Sequence, residues 1–530
     1  MKSPMIGAAT RRRKGHVGYC APSHRRCTML SPTPSPAMTP PVPLPDRLLL
    51  QRIAHRVMQE RGLEPDFPRP ALAELGEIRG AAAPEGPDVR DLRSLLWCSI
   101  DNDDSRDLDQ LTVAEALSDG AVRAIVAIAD VDSLVRKQSA LDSHARRNTT
   151  SVYTVAATFP MLPEKLSTDL TSLGPGADRM AMVVDMAFGR DGSLKMSEHY
   201  RALVRNRAKL AYNAVAAWLD GAGPVPPDVA TVPGLDDNLR LQDALAQKLK
   251  IRRQRKGALD LETIQARPVF DGATLKDLAP DKKNRAKEII EDLMIAANGA
   301  TARFLASRRR SSLRRVVRTP KHWDLIVELA AQKGGSLPVE PDSKALADFL
   351  AAAKVADPLR FPDLSLSVIK LMGAGEYVLE RPDGASAGHF GLAVQDYTHS
   401  TAPNRRYPDV ITQRLLKAAI DGAPAPYGDG ELETLARHCT EAEDAAKKVE
   451  RQVAKSGAAL LLRSRVGERF DALVTGCNSQ GVWVRIAQPP IEGKLVTGFD
   501  CSKVGNALRV ELVGVDVERG YIDFKSAGAS

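Results

Sequence analysis

The chain has 530 residues, 43% of them hydrophobic and 26% charged, a globular composition with room for one large core and smaller modules. No apolar run approaches the roughly 20 residues that cross a bilayer, so no membrane span is expected and a cytoplasmic location is. The formal net charge is +8, yet seven of those charges fall in residues 1–45, which contain no Asp or Glu, so global charge says little about the folded part.

Residues 1–45 are basic and then rich in Pro, Ser and Thr; they cannot bury enough apolar surface to fold and read as a disordered tail. Leu48, Ile53, Val57 and Met58 recur at helical spacing, with Gly62 as a stop, which predicts a small helical module that runs with its linker to residue 90. From 95 to 135 the pattern turns to strands, and Asp119-Gly120 between two apolar runs signals a hairpin. Helices are expected over 196–218, 238–256, 281–309, 321–333, 343–354, 404–420 and 431–463, giving a mixed α+β domain over 91–463. Residues 465–530 contain five short alternating strands, the pattern of a small closed β-barrel of the OB type. The six cysteines, at 20, 27, 98, 439, 477 and 501, form no regular framework and are expected as reduced thiols.

The chemistry concentrates in "SIDNDDSRDLDQL", residues 99–111, where Asp101, Asp103, Asp104, Asp107 and Asp109 crowd between two strand-like runs. Carboxylates at such density repel unless protons or cations neutralise them, and oxygen-only ligands point to Mg²⁺, Mn²⁺ or Ca²⁺. The spacing imitates a calcium loop. However, Arg106 stands where that loop needs Gly, and Thr112 where it needs Glu, so both requirements fail. An Asp-rich surface turn stays open as the plain alternative. A second segment, "YTHSTAPNRRYPDVITQRLLKA" at 397–418, sets Arg405 and Arg406 at the entrance of an amphipathic helix. Guanidinium forks and a helix N-terminus both suit a phosphate, whereas pairing of Arg405 or Arg406 with Asp409 is the structural alternative. Basic runs at 248–257 and 308–318 either grip phosphates or form solvated helix faces.

Together with "TSVYTVAATFPMLPEKLSTDLTSLGPGADRMAM" (150–182) and "AKEIIEDLMIAAN" (286–298), these segments resemble the RNB-domain exoribonucleases, the RNase II/RNase R family, over about 91–463. The barrel at 465–530 is similar to the S1-type RNA-binding domain that usually follows. The resemblance implies a 3′→5′ hydrolytic exoribonuclease that uses Mg²⁺ or Mn²⁺, two ions in all, and releases nucleoside 5′-monophosphates from single-stranded RNA. It further implies a monomer with no nucleotide cofactor and RNA as partner. It maps the catalytic, metal-binding aspartates onto Asp101, Asp107 and Asp109, the last as the indispensable one. Gln110 falls where relatives carry a fourth aspartate and would offer an amide oxygen without charge. Arg405 would hold the scissile phosphate with Arg406 beside it, Tyr153 would pack near the terminal nucleotides, and Glu450 would lie near the RNA end. Phe470 and Trp483 are the barrel's stacking candidates, or else core.

Three departures accompany the resemblance. Leu261 lies where many relatives have an aromatic residue, and Asp292 follows Glu291 where a second Glu is common. Residues 46–90 are too few for the cold-shock barrels that usually precede the catalytic domain. Gln110 keeps a second reading open, that of a catalytically impaired RNA-binding protein with the same fold.

Overall fold

The computed structural model describes residues 45–527 apart from 85–87, 264, 282, 385–386, 479–480 and 498–505. The tail expected over 1–45 therefore lies outside the described residues except for Pro45, as do Cys20, Cys27 and Cys501. Helix α1, Asp46–Glu60, buries Leu50, Ile53, Ala54, Val57 and Met58, the stripe that a 3.6-residue period places on one face. Helix α2 is Arg69–Glu77, with Pro70 in its first turn.

A seven-stranded sheet follows. Its strands are β1 Arg90–Asp91, β2 Cys98–Asp101, β3 Gln110–Ala116, β4 Val122–Ala129, then, beyond helix α3 (Ala140–Asn148) and the small hairpin β5 Val152–Tyr153 and β6 Thr158–Phe159, β7 Asp178–Phe188, β8 Leu194–Arg205 and β9 Ala208–Ala211. The spatial order is β1-β8-β7-β4-β3-β2-β9, antiparallel except for the β1–β8 and β2–β9 pairs. At the β3–β4 turn Asp119 and Gly120 both take positive φ, 59° and 73°, as an Asp-Gly hairpin turn requires.

The helix expected over 196–218 is wrong for most of its length. Only α4, Tyr212–Leu219, is helical, and the preceding residues form β8 and β9. Tyr200, Ala202 and Val204 are buried at a spacing of two in the core that also holds Ala181 and Val183 of β7, so strand pairing decides the element.

Helices α5 Pro227–Ala230, α6 Leu235–Arg255 and, after the hairpin β10 Gln265–Asp271 and β11 Thr274–Asp281, α7 Arg285–Ser307 cover one face of the sheet. Ala114, Val122, Ala124, Val126 and Ile128 meet Leu245, Ala246, Ile289 and Leu293 there. The alternate residues Leu111, Val113, Ile125, Ala127 and Ala129 pack with Trp97, Leu108 and Leu173. Strand alternation thus gives the central strands two buried faces.

Strand β12, Ser312–Val316, precedes three helices, α8 Trp323–Gln332, α9 Ser343–Ala356 and α10 Phe361–Met372, which share their own core. The chain then returns as β13, Glu376–Glu380, antiparallel to β12. Helices α11 Tyr407–Ile420 and α12 Asp429–Leu462 lead to β14 Arg469–Asn478, β15 Gly481–Ile486, β16 Glu492–Thr497, β17 Ala507–Asp516 and β18 Tyr521–Ser526. These five close into a barrel, as the sequence pattern predicts. Cys98 and Cys439 are free and buried. Cys477 is disulfide-bonded, which corrects the expectation of thiols throughout.

A buried ion network fixes α11 to the end of β4. Arg414 donates to Asp132 Oδ1 at 2.6 Å, Asp142 Oδ1 at 2.8 Å, Tyr427 Oη at 2.8 Å and the Val135 carbonyl at 2.6 Å. The Tyr407 hydroxyl also donates to Asp142 Oδ1, at 3.0 Å, and Lys417 lies 2.6 Å from Asp130. Removing one partner of a buried ion pair leaves its counter-charges stranded. Arg414→Ala is therefore expected to lower the unfolding free energy by about 3–5 kcal/mol, read as a lower urea midpoint; a midpoint equal to that of the parent chain would show that the network contributes little.

Candidate active site

The acidic segment is the loop between β2 and β3. Asp101 closes β2, and its Oδ1 accepts from the Asn102 N–H at 2.7 Å and the Ser105 hydroxyl at 2.9 Å, which shapes the first turn. Asp103 and Asp104 are exposed on that turn. Leu108 is buried and its N–H donates to Ser172 Oγ at 3.0 Å. The Asp109 carbonyl accepts from the Ala129 N–H at 2.9 Å. The loop thus reaches β3 with Asp109 fixed on both sides.

Asp109 is only 2% exposed. Its Oδ1 accepts from the Asn404 N–H at 2.8 Å and its Oδ2 from Arg405 Nε at 3.1 Å. The Arg405 side chain is 44% exposed, so this pair has one end in the core and the other open to the surface. Burial pushes the Asp109 carboxyl up to about 7, against the downward pull of Arg405 and the Asn404 N–H. Asp107 is half-buried, and its Oδ2 accepts from the Tyr153 hydroxyl at 3.0 Å. The Tyr153 N–H donates to Glu450 Oε1 on α12 at 2.9 Å. Burial raises both the Tyr153 phenol and the Glu450 carboxyl. Asp109, Tyr153, Asp101 and Asp107 all lie within the electrostatic reach of Arg405.

The two adjacent arginines part company. Arg406 Nη2 donates to Asp409 Oδ1 at 2.8 Å and to Thr401 Oγ1 at 3.4 Å, and the fully buried Asp409 also accepts from the Ala402 N–H at 2.8 Å. Arg406 therefore secures the start of α11, while Arg405 faces the aspartates. The pairing with Asp409 is thus made by Arg406, and Arg405 pairs with Asp109 instead.

Of the other residues singled out by sequence, Gln110 opens β3 opposite Ile128. Cross-strand partners share a face, so its side chain lies on the side where Ile128 packs with α6 and α7. Phe470, expected as a stacking candidate or core, is core. It is 7% exposed, with its ring 6.3 Å from and edge-on to Phe524, and Arg465 lies over it at 4.6 Å. Trp483 instead lines a cavity of about 650 Å³ with Leu325, Leu329 and Lys455. Sequence reasoning missed Asn404 and Tyr212. Asn404 acts through its backbone N–H, its Oδ1 accepts from the Thr171 hydroxyl at 2.6 Å, and its buried Nδ2 has no partner among the described residues. Tyr212 lies within electrostatic reach of Asp101 and Arg405. Asn404 at least sits inside the arginine segment; nothing in the sequence marks Tyr212.

Among the described residues no three His, Cys, Asp or Glu side chains are already converged on a metal position. The donor chemistry nevertheless fits a hard cation. Asp101, Asp107 and Asp109 offer only carboxylate oxygens, and burial disfavours the charge on Asp109, so added positive charge would be stabilising there.

An acidic, arginine-backed site on a mixed sheet, with a closed five-stranded barrel in the same chain, belongs to a class that family models recognise. A model of the RNB domain matches residues 89–422, and one of the RNase II-type exonuclease C-terminal S1 domain matches residues 468–527. The chain belongs to the RNB-domain family. It is 30% identical over 476 residues to ribonuclease R of Vibrio parahaemolyticus, an alignment that covers 82% of this chain and 55% of that protein. The chain thus spans about half the length of that relative. Its fold is similar to that of Mycoplasma genitalium RNase R in complex with ribose methylated single-stranded RNA, with a TM-score of 0.80 at 22% identity over 91% of this chain and 78% of the other. It is also similar in fold to yeast Ssd1, a pseudonuclease, with a TM-score of 0.65 at 16% identity over 88% and 59% of the two chains.

Binding that favours the folded state raises stability by about 2.7 kcal/mol at a ligand concentration of 100 Kd. Mg²⁺ or Mn²⁺ is accordingly expected to raise the melting temperature of the apo protein in a saturable way, and Asp109→Asn to remove most of that rise. An identical rise in the variant would place the cation elsewhere.

Proposed function

We propose that this protein is a divalent-metal-dependent 3′→5′ exoribonuclease that hydrolyses single-stranded RNA to nucleoside 5′-monophosphates. The observation that carries this reading is the Arg405–Asp109 pair. Asp109 engages only Nε of the guanidinium, and the side chain remains 44% exposed. The rest of the guanidinium fork is thus available to a phosphate arriving from the open side. There it would hold the scissile group and offset charge that develops on it. Tyr153, 42% exposed and tethered at its hydroxyl and its N–H, offers a held ring on which a base can stack without sequence choice. Glu450 holds the Tyr153 backbone from α12.

Asp101, Asp107 and Asp109 would hold Mg²⁺ or Mn²⁺, two ions on the family pattern, and a bound ion would supply the Lewis acidity that phosphodiester hydrolysis needs. Gln110, with its side chain on the face of Ile128, does not take a place in this acidic group, so its neutrality does not by itself weaken the site. Membership of the RNB-domain family and the likeness to ribonuclease R support the RNA substrate.

The test uses 5′-labelled single-stranded RNA with Mg²⁺. The expected result is a stepwise ladder shortening from the 3′ end, lost with chelator and in Asp109→Asn, with 5′-monophosphates as product. Arg405→Ala is expected to lower kcat by about 10²–10³-fold, the scale for removing a donor to developing charge. RNA that is bound on a gel yet never shortened would replace this reading with that of an impaired RNA-binding protein.

A further inference from the structure

Residue 149 is strained. Thr149 follows α3 in the left-handed conformation, with φ 58° and ψ −20°, which is costly for a β-branched side chain. Such strain persists only where the surroundings over-determine it. Here the strained residue begins a stretch of backbone that touches the candidate active site twice. The Thr149 carbonyl accepts from the Tyr407 N–H at 2.8 Å. The Arg405 carbonyl accepts from the Ser151 N–H at 3.0 Å and from the Thr150 hydroxyl at 3.2 Å. Thr150 bridges Arg406 in antiparallel fashion. Two residues beyond Ser151, Tyr153 reaches Asp107. A slip at Thr149 would therefore displace the arginine and the tyrosine together.

The residue before Thr149 is bonded to the N-terminal module. Asn148 is 3% exposed. Its Oδ1 accepts from the Glu64 N–H at 2.8 Å, and its Nδ2 donates to the Glu64 carbonyl at 2.8 Å, so one carboxamide takes up both backbone groups of residue 64. Leu63, next in the chain, is buried in a core with Val57 and Met58 of α1, Val152 of the Tyr153 hairpin, and Val449 and Val453 of α12. Phe67 packs on His144 of α3 with ring centroids 4.4 Å apart. All of 63–67 precedes the region that the RNB model matches.

We infer that the N-terminal module is a positioning device for the active site, with Asn148 as the positioning residue that clamps Thr149 in its strained conformation and thereby fixes Arg405 and Tyr153 against Asp109 and Asp107. Its catalytic consequence rests on the function proposed above; its structural core does not. Glycine adopts positive φ freely, so Thr149→Gly removes the need for the clamp, and this gives a rescue that a merely stabilising role would not produce.

The experiment compares the full chain, Asn148→Ala and the double variant Asn148→Ala/Thr149→Gly, each well below its own melting temperature. In amide hydrogen exchange, Asn148→Ala is expected to speed exchange of the Ser151 and Tyr407 amides at least tenfold, and the double variant to restore most of their protection. In RNA hydrolysis, Asn148→Ala is expected to lower kcat at least tenfold with KM within threefold, and the double variant to recover most of kcat. Unchanged exchange in Asn148→Ala, or a double variant no better protected than the single one, overturns the inference. If the parent chain leaves RNA intact, the function proposed above fails and the exchange comparison still decides the clamp. Should Asn148→Ala not fold, Asn148→Ser takes its place in both comparisons.

Discussion

A carboxylate that is almost wholly out of water must find a cation or give up its charge, and Asp109 meets that demand with Arg405, a residue 296 positions away in sequence. Much of the fold can be understood as the means of bringing those two together. The Asp109 carbonyl is tied to β4 through Ala129. Arg405 stands in the turn that opens α11, and α11 is tied to the segment following β4 through Arg414 and Asp132. One partner of the pair is thus referenced to β4 through its backbone, and the other to the segment that follows β4 through a salt bridge.

The pairing is asymmetric in a way that matters for chemistry. Asp109 lies in the core, where the effective dielectric is low and electrostatic interactions are strong, whereas the guanidinium extends towards solvent. The neighbouring residue shows the contrast. Arg406 directs its charge into the buried Asp409, where it holds the helix start. One dipeptide thus supplies an anchor and a reaching group.

The sequence makes the acidic cluster legible because its members are local. Five aspartates in one loop declare a shared electrostatic problem without any knowledge of the fold. Arg405 is legible as one of two, and no local rule separates it from Arg406; the choice is made by which of them lies beside Asp109 across the fold. Phe470 and Trp483 present the same difficulty on a barrel, since alternation gives an inside and an outside but not which is which. The helix expected over 196–218 fails for a related reason. The residues of β8 satisfy a helical pattern as well as an alternating one, and pairing with β7 and the parallel β1 decides between them. The role of the N-terminal module is the least legible of all. Glu64 meets Asn148 through its backbone, and backbone groups leave no mark in the residue types.

Gln110 illustrates how a register changes the meaning of a residue. Read along the chain it is an interruption, a neutral side chain at the end of a run of acids. Within β3 it is the cross-strand partner of Ile128, and the face it shares is the apolar one that packs on α6 and α7. A carboxylate held there would be driven towards protonation, as burial already drives Asp109. A neutral amide tolerates that position at lower cost than a charge. The neutral residue therefore follows from where β3 begins, immediately after the acidic loop that Arg405 faces.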